Sequence, residues 1–377
     1  MIITTVAPHH YHTILAWYLV QHSLSSLQKI QQYFGDCEQA IQPHNLTKWH
    51  KLGLHANHLK RVQEFQSLQG QYKIEQLMQL VQQHSDFILT PNDVGYPTQL
   101  LPYADRPPIL FGKGQAHALL QAQIAMVGSR KPSPHGQQVA YDFAYYLSEK
   151  GFYINSGLAY GIDQAAHQGG LAHHRTIAVI GTGLDLIYPK QHTQLAHQIV
   201  QSGAIVTEFL PTTKPLQQHF PRRNRIVSGL SLGVLVVEAA LESGSLITAN
   251  TAAQQGKTVF AIPGHIYNQY HQGCHQLIRE GAILVDHPEQ IIEDLALPTQ
   301  WQAQQQPTQS PKHEHANIPN HLLALYQQLN WEGQDLDQLA QQYHTSTAEL
   351  TSHLMELELL GLCTQQNGYY LRCRPIH

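Results

Sequence analysis

Seven short apolar runs rich in β-branched residues alternate with amphipathic stretches in the middle of the chain. The runs read QIAMVG, FYIN, TIAVIG, AIVTE, GVLVVEA, TVFAIPG and AILVD, and a helical segment follows each of them, including helices from Gly136, Ile162 and Thr193. Continuous apolar strands joined by crossover helices are typical of a parallel sheet that is covered on both faces. The pattern predicts an α/β fold with an extended Rossmann-like, doubly wound and mostly parallel sheet.

The N-terminal region has a different, helical pattern, and a Pro-rich connection, TPNDVGYPTQLLPYADRPPILFGKG, leads from it into the sheet. SLSSLQKIQQYF and YKIEQLMQLVQQH carry apolar residues at helical spacing, and LTKWHKLGLHANHLKRVQEF predicts two short helices around Gly53. Small helical domains of the helix-hairpin-helix or sterile-alpha-motif type fit this pattern, and such modules sometimes contact a nucleic acid backbone. A helical packing or protein-contact module is the alternative that we favour.

The C-terminal region follows a Gln- and Pro-rich stretch, PTQWQAQQQPTQSPKHEHAN, which predicts a flexible linker. HLLALYQQL, DLDQLAQQYH and STAELTSHLMELELLG predict three helices, and LCTQQNGYYL predicts a hairpin that turns at Asn367-Gly368. In the third helix, Ser346 and Glu349 form a capping-box pattern and Gly361 ends the helix. Its apolar face comprises Leu350, Leu354, Leu357 and Leu360. Three helices and a hairpin make a winged helix.

The chain has 377 residues, which exceeds the size at which one hydrophobic core normally stops growing. Four segments are predicted: a small helical domain at 1–88, the Rossmann-like domain at 89–297, the linker at 298–317 and a small winged-helix domain at 318–377.

The cysteines, histidines and apolar segments of the chain indicate where the protein is located and whether it binds a metal. The four cysteines form no CxxC pair, as suits a reducing compartment. TILAWYLV, near the N-terminus, is too short to span a bilayer and lacks the flanks of a signal peptide. None of the 27 histidines belongs to an HExxH motif or a paired Cys/His array, so the sequence predicts no metal site. We expect a cytoplasmic protein that does not contact a membrane.

Candidate ligand-binding residues follow the predicted strands, because open parallel sheets bind ligands at the carboxyl ends of their strands. The loop after the first strand holds Gly128, Ser129, Arg130 and Lys131; later loops hold SGLAYGID and Lys190, and FPRRNR begins a helix. Residues 120–225 carry nine Lys/Arg and five Asp/Glu, a local charge of +4 within a chain of net charge −4. This concentration of positive charge, reinforced by backbone N–H groups at helix starts, predicts a ligand that carries phosphates.

Two enzyme interpretations compete with a binding role. GTGLDL lacks the third glycine of the dinucleotide fingerprint and no Walker A loop is present, so no cofactor is predicted. A hydrolase is conceivable with Glu238 beside SGSLITA and with Asp163 and His167 as acid/base partners. We favour a structural role for that segment, in which its serines cap a tightly packed helix, because no second carboxylate or nucleophile is evidently paired with Glu238.

Five blocks of the middle region together resemble the DNA-processing protein A family, DprA, also called Smf. They are MVGSRKPSPHG, NSGLAYGIDQAAHQGGL, AVIGTGLDLIYPKQHTQLAHQI, FPRRNRIVSGLS and VVEAALESGSLITANTAAQQGKTVFAIPG. The resemblance implies an extended Rossmann domain that binds single-stranded DNA and helps load the RecA recombinase in natural transformation, without catalytic turnover. A homodimer is also expected.

The resemblance also assigns residues. The family's DNA-binding arginine in the glycine-serine-arginine motif falls on Arg130, and its lysine after tyrosine-proline falls on Lys190. The strand-binding segment falls on Arg222, Arg223, Asn224 and Arg225. Phe220 and Tyr188 are candidate stacking partners for unpaired bases or, alternatively, core residues. At least two of the three arginines are expected to meet phosphates, while one or two could pair with Glu208 or Asp185 instead.

The predicted winged helix raises a third interpretation, in which the protein is a transcription regulator that binds duplex DNA. Between His313 and Leu371 there is no Lys or Arg, whereas seven carboxylates occur there, at Glu314, Glu332, Asp335, Asp337, Glu349, Glu356 and Glu358. Such a surface repels duplex phosphates, so the module is predicted to contact protein, with Arg372 and Arg374 as a late basic pair.

A nucleotide-processing hydrolase of the phosphoribohydrolase type remains the enzyme alternative, although its proline-glycine-glycine loop is missing.

Overall fold

A computed structural model describes residues 6–295, 318–330, 333–343, 346–366 and 368–373. The chain divides into two compact units between Leu297 and Pro298. The predicted linker at 298–317 lies outside the described residues, and the predicted domain boundaries stay predictions.

A nine-stranded sheet is the centre of the described part of the first unit. Its strands are β1 (Phe87–Leu89), β2 (Leu110–Gly114), β3 (Gln123–Val127), β4 (Tyr153–Ser156), β5 (Thr176–Val179), β6 (Ala204–Thr207), β7 (Gly233–Val236), β8 (Thr258–Ala261) and β9 (Ile283–Leu284). They lie in the order β1-β2-β6-β5-β4-β3-β7-β8-β9, in which β3 to β9 are parallel to one another and β2 is antiparallel to both of its neighbours, β1 and β6. The seven predicted strands are confirmed as β3 to β9.

Helices cover both faces of this sheet because alternate residues of each strand face opposite cores. Ile124 and Met126 of β3 join one buried cluster, and Ala125 and Val127 join another. The helices after the strands are α7 (Pro134–Glu149), α8 (Ile162–Leu171), α9 (Thr193–Ser202), α10 (His219–Leu230), α11 (Gly244–Gln254), α12 (Gln272–Arg279) and α13 (Pro288–Asp294). The predicted helix starts at Ile162 and Thr193 are confirmed, and α7 begins two residues before Gly136.

The N-terminal helices pack against the sheet and share a hydrophobic cluster with it. They are α1 (Pro8–Leu19), α2 (Leu24–Phe34), α3 (Cys37–Ala40), α4 (Pro43–Leu46), α5 (Ala56–Phe65) and α6 (Leu68–His84), with a 3-10 helix at Thr47–Leu52. The cluster joins Trp17 and Trp49 to Phe111 and Ile205 of the sheet. Gly53 adopts a φ of 60°, which explains the turn between the two short helices.

The second unit is a winged helix, as predicted. Its described elements are α14 (Asn320–Gln328), β10 (Gln334–Asp335), α15 (Leu336–Tyr343), α16 (Thr347–Leu359), β11 (Cys363–Gln366) and β12 (Tyr369–Arg372). The Ser346 hydroxyl accepts a hydrogen bond from the Glu349 N–H, and Leu350, Leu354 and Leu357 are fully buried. Leu360 is not part of that face: it is 48% exposed because α16 ends one residue earlier. Asn367 and Arg374, named in the sequence analysis, lie outside the described residues.

No helix in the described part of the chain is long and apolar enough to cross a membrane.

Candidate nucleic-acid interface

The loop after β3 presents two cations at the carboxyl edge of the sheet. The Ser129 N–H donates to the Glu238 carbonyl oxygen at 2.7 Å, and the Ile162 N–H donates to the Ser129 carbonyl oxygen at 3.1 Å. A Cβ on Gly128 would lie 2.6 Å from Cγ1 of Ile162, so this close approach requires glycine. Gly128 and Ser129 therefore fix the loop, while Arg130 and Lys131 are exposed.

Two aromatic rings lie beside Arg130. Its guanidinium carbon is 5.5 Å from the centroid of the Phe220 ring, and the centroids of Phe220 and Tyr188 are 5.8 Å apart. Tyr188 is 48% exposed and Phe220 is half-buried, resting over Gly181, so neither ring is fully enclosed in the core. Residues from two loops and from the first turn of α10, all distant in sequence, thus meet at one edge of the sheet.

Lys190 follows Tyr188 by two residues and is exposed at the start of a 3-10 helix. The exposed or half-buried side chains that share this edge are called the strand edge below; they are Arg130, Lys131, Tyr188, Lys190 and Phe220. Tyr160 is a further exposed aromatic residue that sequence reasoning did not single out. Its hydroxyl bonds to the side chain of Gln191, next to Lys190. The sequence feature that could have identified Tyr160 is its position as an aromatic residue in SGLAYGID, a loop at the carboxyl end of a predicted strand.

Two of the three clustered arginines are engaged within the protein. The Arg222 Nε donates to Glu208 Oε1 at 2.8 Å, and Arg225 Nη2 donates to Glu208 Oε2. Glu208 is fully buried, and the Arg222 guanidinium also stacks 5.2 Å from the Trp17 ring. Pairing with Glu208 is the alternative named above; Asp185 instead accepts hydrogen bonds from the Thr212 N–H. The buried carboxylate thus offsets the repulsion between the arginines.

Arg223, the third of them, is only 6% exposed. Its guanidinium lies against Gly157, where a Cβ would be 1.6 Å from Nη1. Burial lowers the pKa of Arg223 to about 10, nearby Asp163 opposes this shift, and Arg130 reinforces it. Asn224 is half-buried in α10. Direct phosphate contact by the three arginines stays a prediction, and this geometry disfavours it.

The residues of the hydrolase alternative have structural roles in this fold. The buried Glu238 carboxylate accepts hydrogen bonds from the Ser133 N–H at 2.9 Å and from the Ser133 hydroxyl, which caps α7. Asp163 accepts from the N–H groups of Gly157 and Ala159, and burial raises its pKa. Each carboxylate holds a loop of the sheet edge in place.

His167 is fully buried, and its Nδ1 lies 2.7 Å from the Thr176 hydroxyl oxygen. Thr176 donates its own proton to the Ile154 carbonyl, so Nδ1 of His167 carries the proton in this pair. Burial lowers the pKa of His167 to about 3. A neutral, enclosed imidazole of this kind suits packing better than acid/base chemistry on a bound substrate.

Comparison with known proteins gives consistent matches along the chain. The family model described as DNA recombination-mediator protein A matches residues 87–296, and the DprA winged helix domain matches residues 302–369. Protein Smf of Escherichia coli K12 is 41% identical over 320 residues, covering 84% of this chain and 85% of that protein.

Two solved structures are similar as well. The X-ray structure of DprA from Streptococcus pneumoniae has a TM-score of 0.66 and 35% identity, covering 75% of this chain and 97% of that one. DNA processing protein A from Helicobacter pylori, a structure that addresses its single-stranded DNA binding mode, has a TM-score of 0.51 and 29% identity, covering 56% of this chain and 96% of that one.

Proposed function

The chain belongs to the DNA recombination-mediator protein A (DprA/Smf) family, and from that premise we propose that it binds single-stranded DNA along the strand edge. The observation that carries the proposal is the contact of Arg130 with Phe220 and of Phe220 with Tyr188, with the exposed Lys131 and Lys190 close to them in sequence. Arg130, Lys131 and Lys190 would contact successive phosphates, and Tyr188 and Phe220 would stack with bases.

This combination favours an unpaired strand over a duplex. Base–aromatic stacking contributes about 1–3 kcal/mol per base and requires a base that is free of its partner. Phosphate contacts add an affinity that falls with salt because bound counterions are released. A duplex offers only the second contribution, so single strands should win in competition.

The biological role that follows is recombination mediation without turnover. We propose that the protein protects incoming DNA and helps load RecA during natural transformation, in the cytoplasm, as the family resemblance implies. Structural roles for Glu238, Asp163 and His167 support a binding protein rather than a hydrolase.

The winged helix is proposed to contact protein rather than duplex DNA. The second half of α16 carries two exposed apolar side chains, Met355 at 58% and Leu359 at 88% exposure, interspersed with Glu356 and Glu358. Carboxylates repel DNA phosphates, whereas exposed apolar side chains next to acids suit a protein partner that carries positive charge.

A homodimer is proposed to form through the edge strand β9. Ile283 and Leu284 are 37% and 48% exposed there, whereas the three residues of β1, at the opposite edge, are half-buried or buried. An exposed apolar edge is a template for pairing with a second copy.

We expect Leu284→Lys to convert the dimer to a monomer in light scattering coupled to gel filtration, whereas Leu68→Lys, at an exposed helical leucine, leaves the mass unchanged. A wild-type monomer, or a dimeric Leu284→Lys protein, contradicts this assignment.

The proposed function is tested by fluorescence anisotropy of a labelled oligo-dT with wild type and Arg130→Ala. Loss of one charge-assisted phosphate contact, worth about 1.5–3 kcal/mol, predicts binding weaker by about 10- to 100-fold. Lys73→Ala removes one positive charge from the exposed surface of α6 and should have little effect.

Unlabelled competitors decide between the functions. Single strands should displace the probe at lower concentrations than duplex or mononucleotides of equal phosphate content. Equal competition by duplex would favour a regulator, and equal competition by a nucleotide together with release of free base would favour a hydrolase.

A further inference from the structure

Two histidines and an aspartate, none of them among the strand-edge residues, converge on one point at the surface of the first unit. His9 Nε2 lies 3.1 Å from Asp93 Oδ1, and His10 Nε2 lies 2.9 Å from Asp93 Oδ2. The three potential ligand atoms all lie within 4.8 Å of one another, and no other such group occurs among the described residues. We propose that His9, His10 and Asp93 bind a divalent transition-metal ion of the Zn²⁺ class.

The ligand spacing allows a tetrahedral ion if the three side chains rotate toward one point. Zn²⁺ binds imidazole nitrogen at roughly 2.0–2.1 Å and carboxylate oxygen at a similar distance, so neighbouring ligands of a tetrahedron lie about 3.3 Å apart. The two histidines contact different oxygens of Asp93, at 3.1 Å and 2.9 Å, and the three potential ligand atoms lie within 4.8 Å of one another. An ion that replaces the two histidine protons would bring both nitrogens and one oxygen to the tetrahedral spacing by rotation of these side chains.

The donor set selects the class of metal. Two imidazoles and one carboxylate suit Zn²⁺, Co²⁺, Ni²⁺ or Cu²⁺, whereas Ca²⁺ and Mg²⁺ prefer all-oxygen sites. Three protein ligands leave a fourth position for water. The His9 side chain is 56% exposed, which gives the ion a path from solvent, while His10 and Asp93 are 13% and 22% exposed.

The carboxylate is already held in place by its neighbours. Asp93 Oδ2 accepts hydrogen bonds from the Thr90 N–H at 2.6 Å and from the Thr90 hydroxyl at 2.7 Å. Such contacts to a ligating carboxylate fix its orientation and commonly raise metal affinity. Asp93 therefore presents a prearranged oxygen to the two imidazoles.

Metal binding would link distant parts of the first unit. His9 and His10 lie in the first turn of α1, and Asp93 lies in the segment between β1 and β2, 83 residues beyond His10. A ligand that binds only the folded state stabilises that state, so an ion here would strengthen the attachment of α1 to the sheet region. Sequence motifs with short spacing could not identify this site because the fold brings its ligands together.

The test uses the full-length, metal-free protein titrated with Co²⁺ and followed by visible absorption, then with Zn²⁺ in competition. We expect one equivalent of Co²⁺ to bind and to give d–d bands, which Zn²⁺ removes. The double variant His9→Ala/His10→Ala should lose this equivalent, with affinity weaker by at least about tenfold. His12→Ala, on the same helix but outside the ligand set, is the matched control.

Thermal unfolding gives a second readout. Zn²⁺ should raise the melting temperature of wild type and of His12→Ala, and should not raise that of the double variant. Equal Co²⁺ binding by the double variant and wild type would overturn the assignment and attribute binding to other histidines. Absence of any d–d band in the wild type would also overturn it and leave the cluster as a set of hydrogen bonds.

Discussion

Replacing Glu208 with glutamine is expected to destabilise the first unit by about 3–5 kcal/mol. Its carboxylate is fully buried and pairs with both Arg222 and Arg225. Glutamine preserves the shape but removes the negative charge, which leaves two partly enclosed guanidinium groups without a counter-ion. Urea unfolding followed by circular dichroism and by tryptophan fluorescence, to which Trp17 beside Arg222 contributes, measures the change.

Glu242→Gln is the matched control for this substitution. It makes the same chemical change at an exposed position, where substitutions normally alter stability by less than about 0.5 kcal/mol. A loss of less than 1 kcal/mol in Glu208→Gln would mean that the two arginines find water or other acceptors in the folded protein. The prediction would then be wrong, and the arginines would be free to meet DNA.

The cluster around Glu208 also connects the N-terminal helices to the strand edge. The Trp17 indole N–H donates to the Glu208 carbonyl oxygen at 2.8 Å, and Arg222 donates to the His22 carbonyl oxygen. Phe220 lies two residues before Arg222 in α10, so the position of its ring depends on this cluster. The N-terminal helices thus pack against the start of α10, which is the kind of contact expected of a helical packing module, and any effect of this region on DNA binding stays a prediction.

The parallel sheet could be predicted from sequence because its strands are buried on both faces and appear as continuous apolar runs. Strand β2 was missed because it lies in the Pro-rich segment, and β1, directly before that segment, was missed because it has only three residues. Helix α1 contains TILAWYL, whose nearly unbroken apolar character hides helical periodicity; five residues of α1 are buried.

The candidate site was predictable in position but not in the roles of its arginines. Strand ends and local charge identify the edge, because topology alone brings those loops together. Residue type does not reveal whether a guanidinium meets a phosphate or an internal carboxylate. Glu208 ends the run AIVTE, one residue beyond β6, and its partners are 14 and 17 residues further on, at a distance that only the fold determines.

Removing both Arg130 and Lys190 is expected to abolish most single-strand binding. Two charge-assisted phosphate contacts of about 1.5–3 kcal/mol each predict a loss of roughly 10²- to 10⁴-fold in affinity. The slope of log K against log salt should also become shallower by about 1.4, since each phosphate contact contributes about 0.7 for single strands. Anisotropy titrations of oligo-dT with Arg130→Ala/Lys190→Ala over a salt series measure both quantities.

The matched control is Lys60→Ala/Lys73→Ala, which removes the same charge from exposed positions on α5 and α6. If long-range attraction to positive charge anywhere on the surface drove binding, both double variants would lose affinity to a similar extent. If the strand edge binds phosphates directly, only the first variant loses affinity and only its salt slope changes. An unchanged salt slope in Arg130→Ala/Lys190→Ala would place the strand elsewhere on the molecule, because cations that contact phosphates cannot be removed without reducing the number of counterions released.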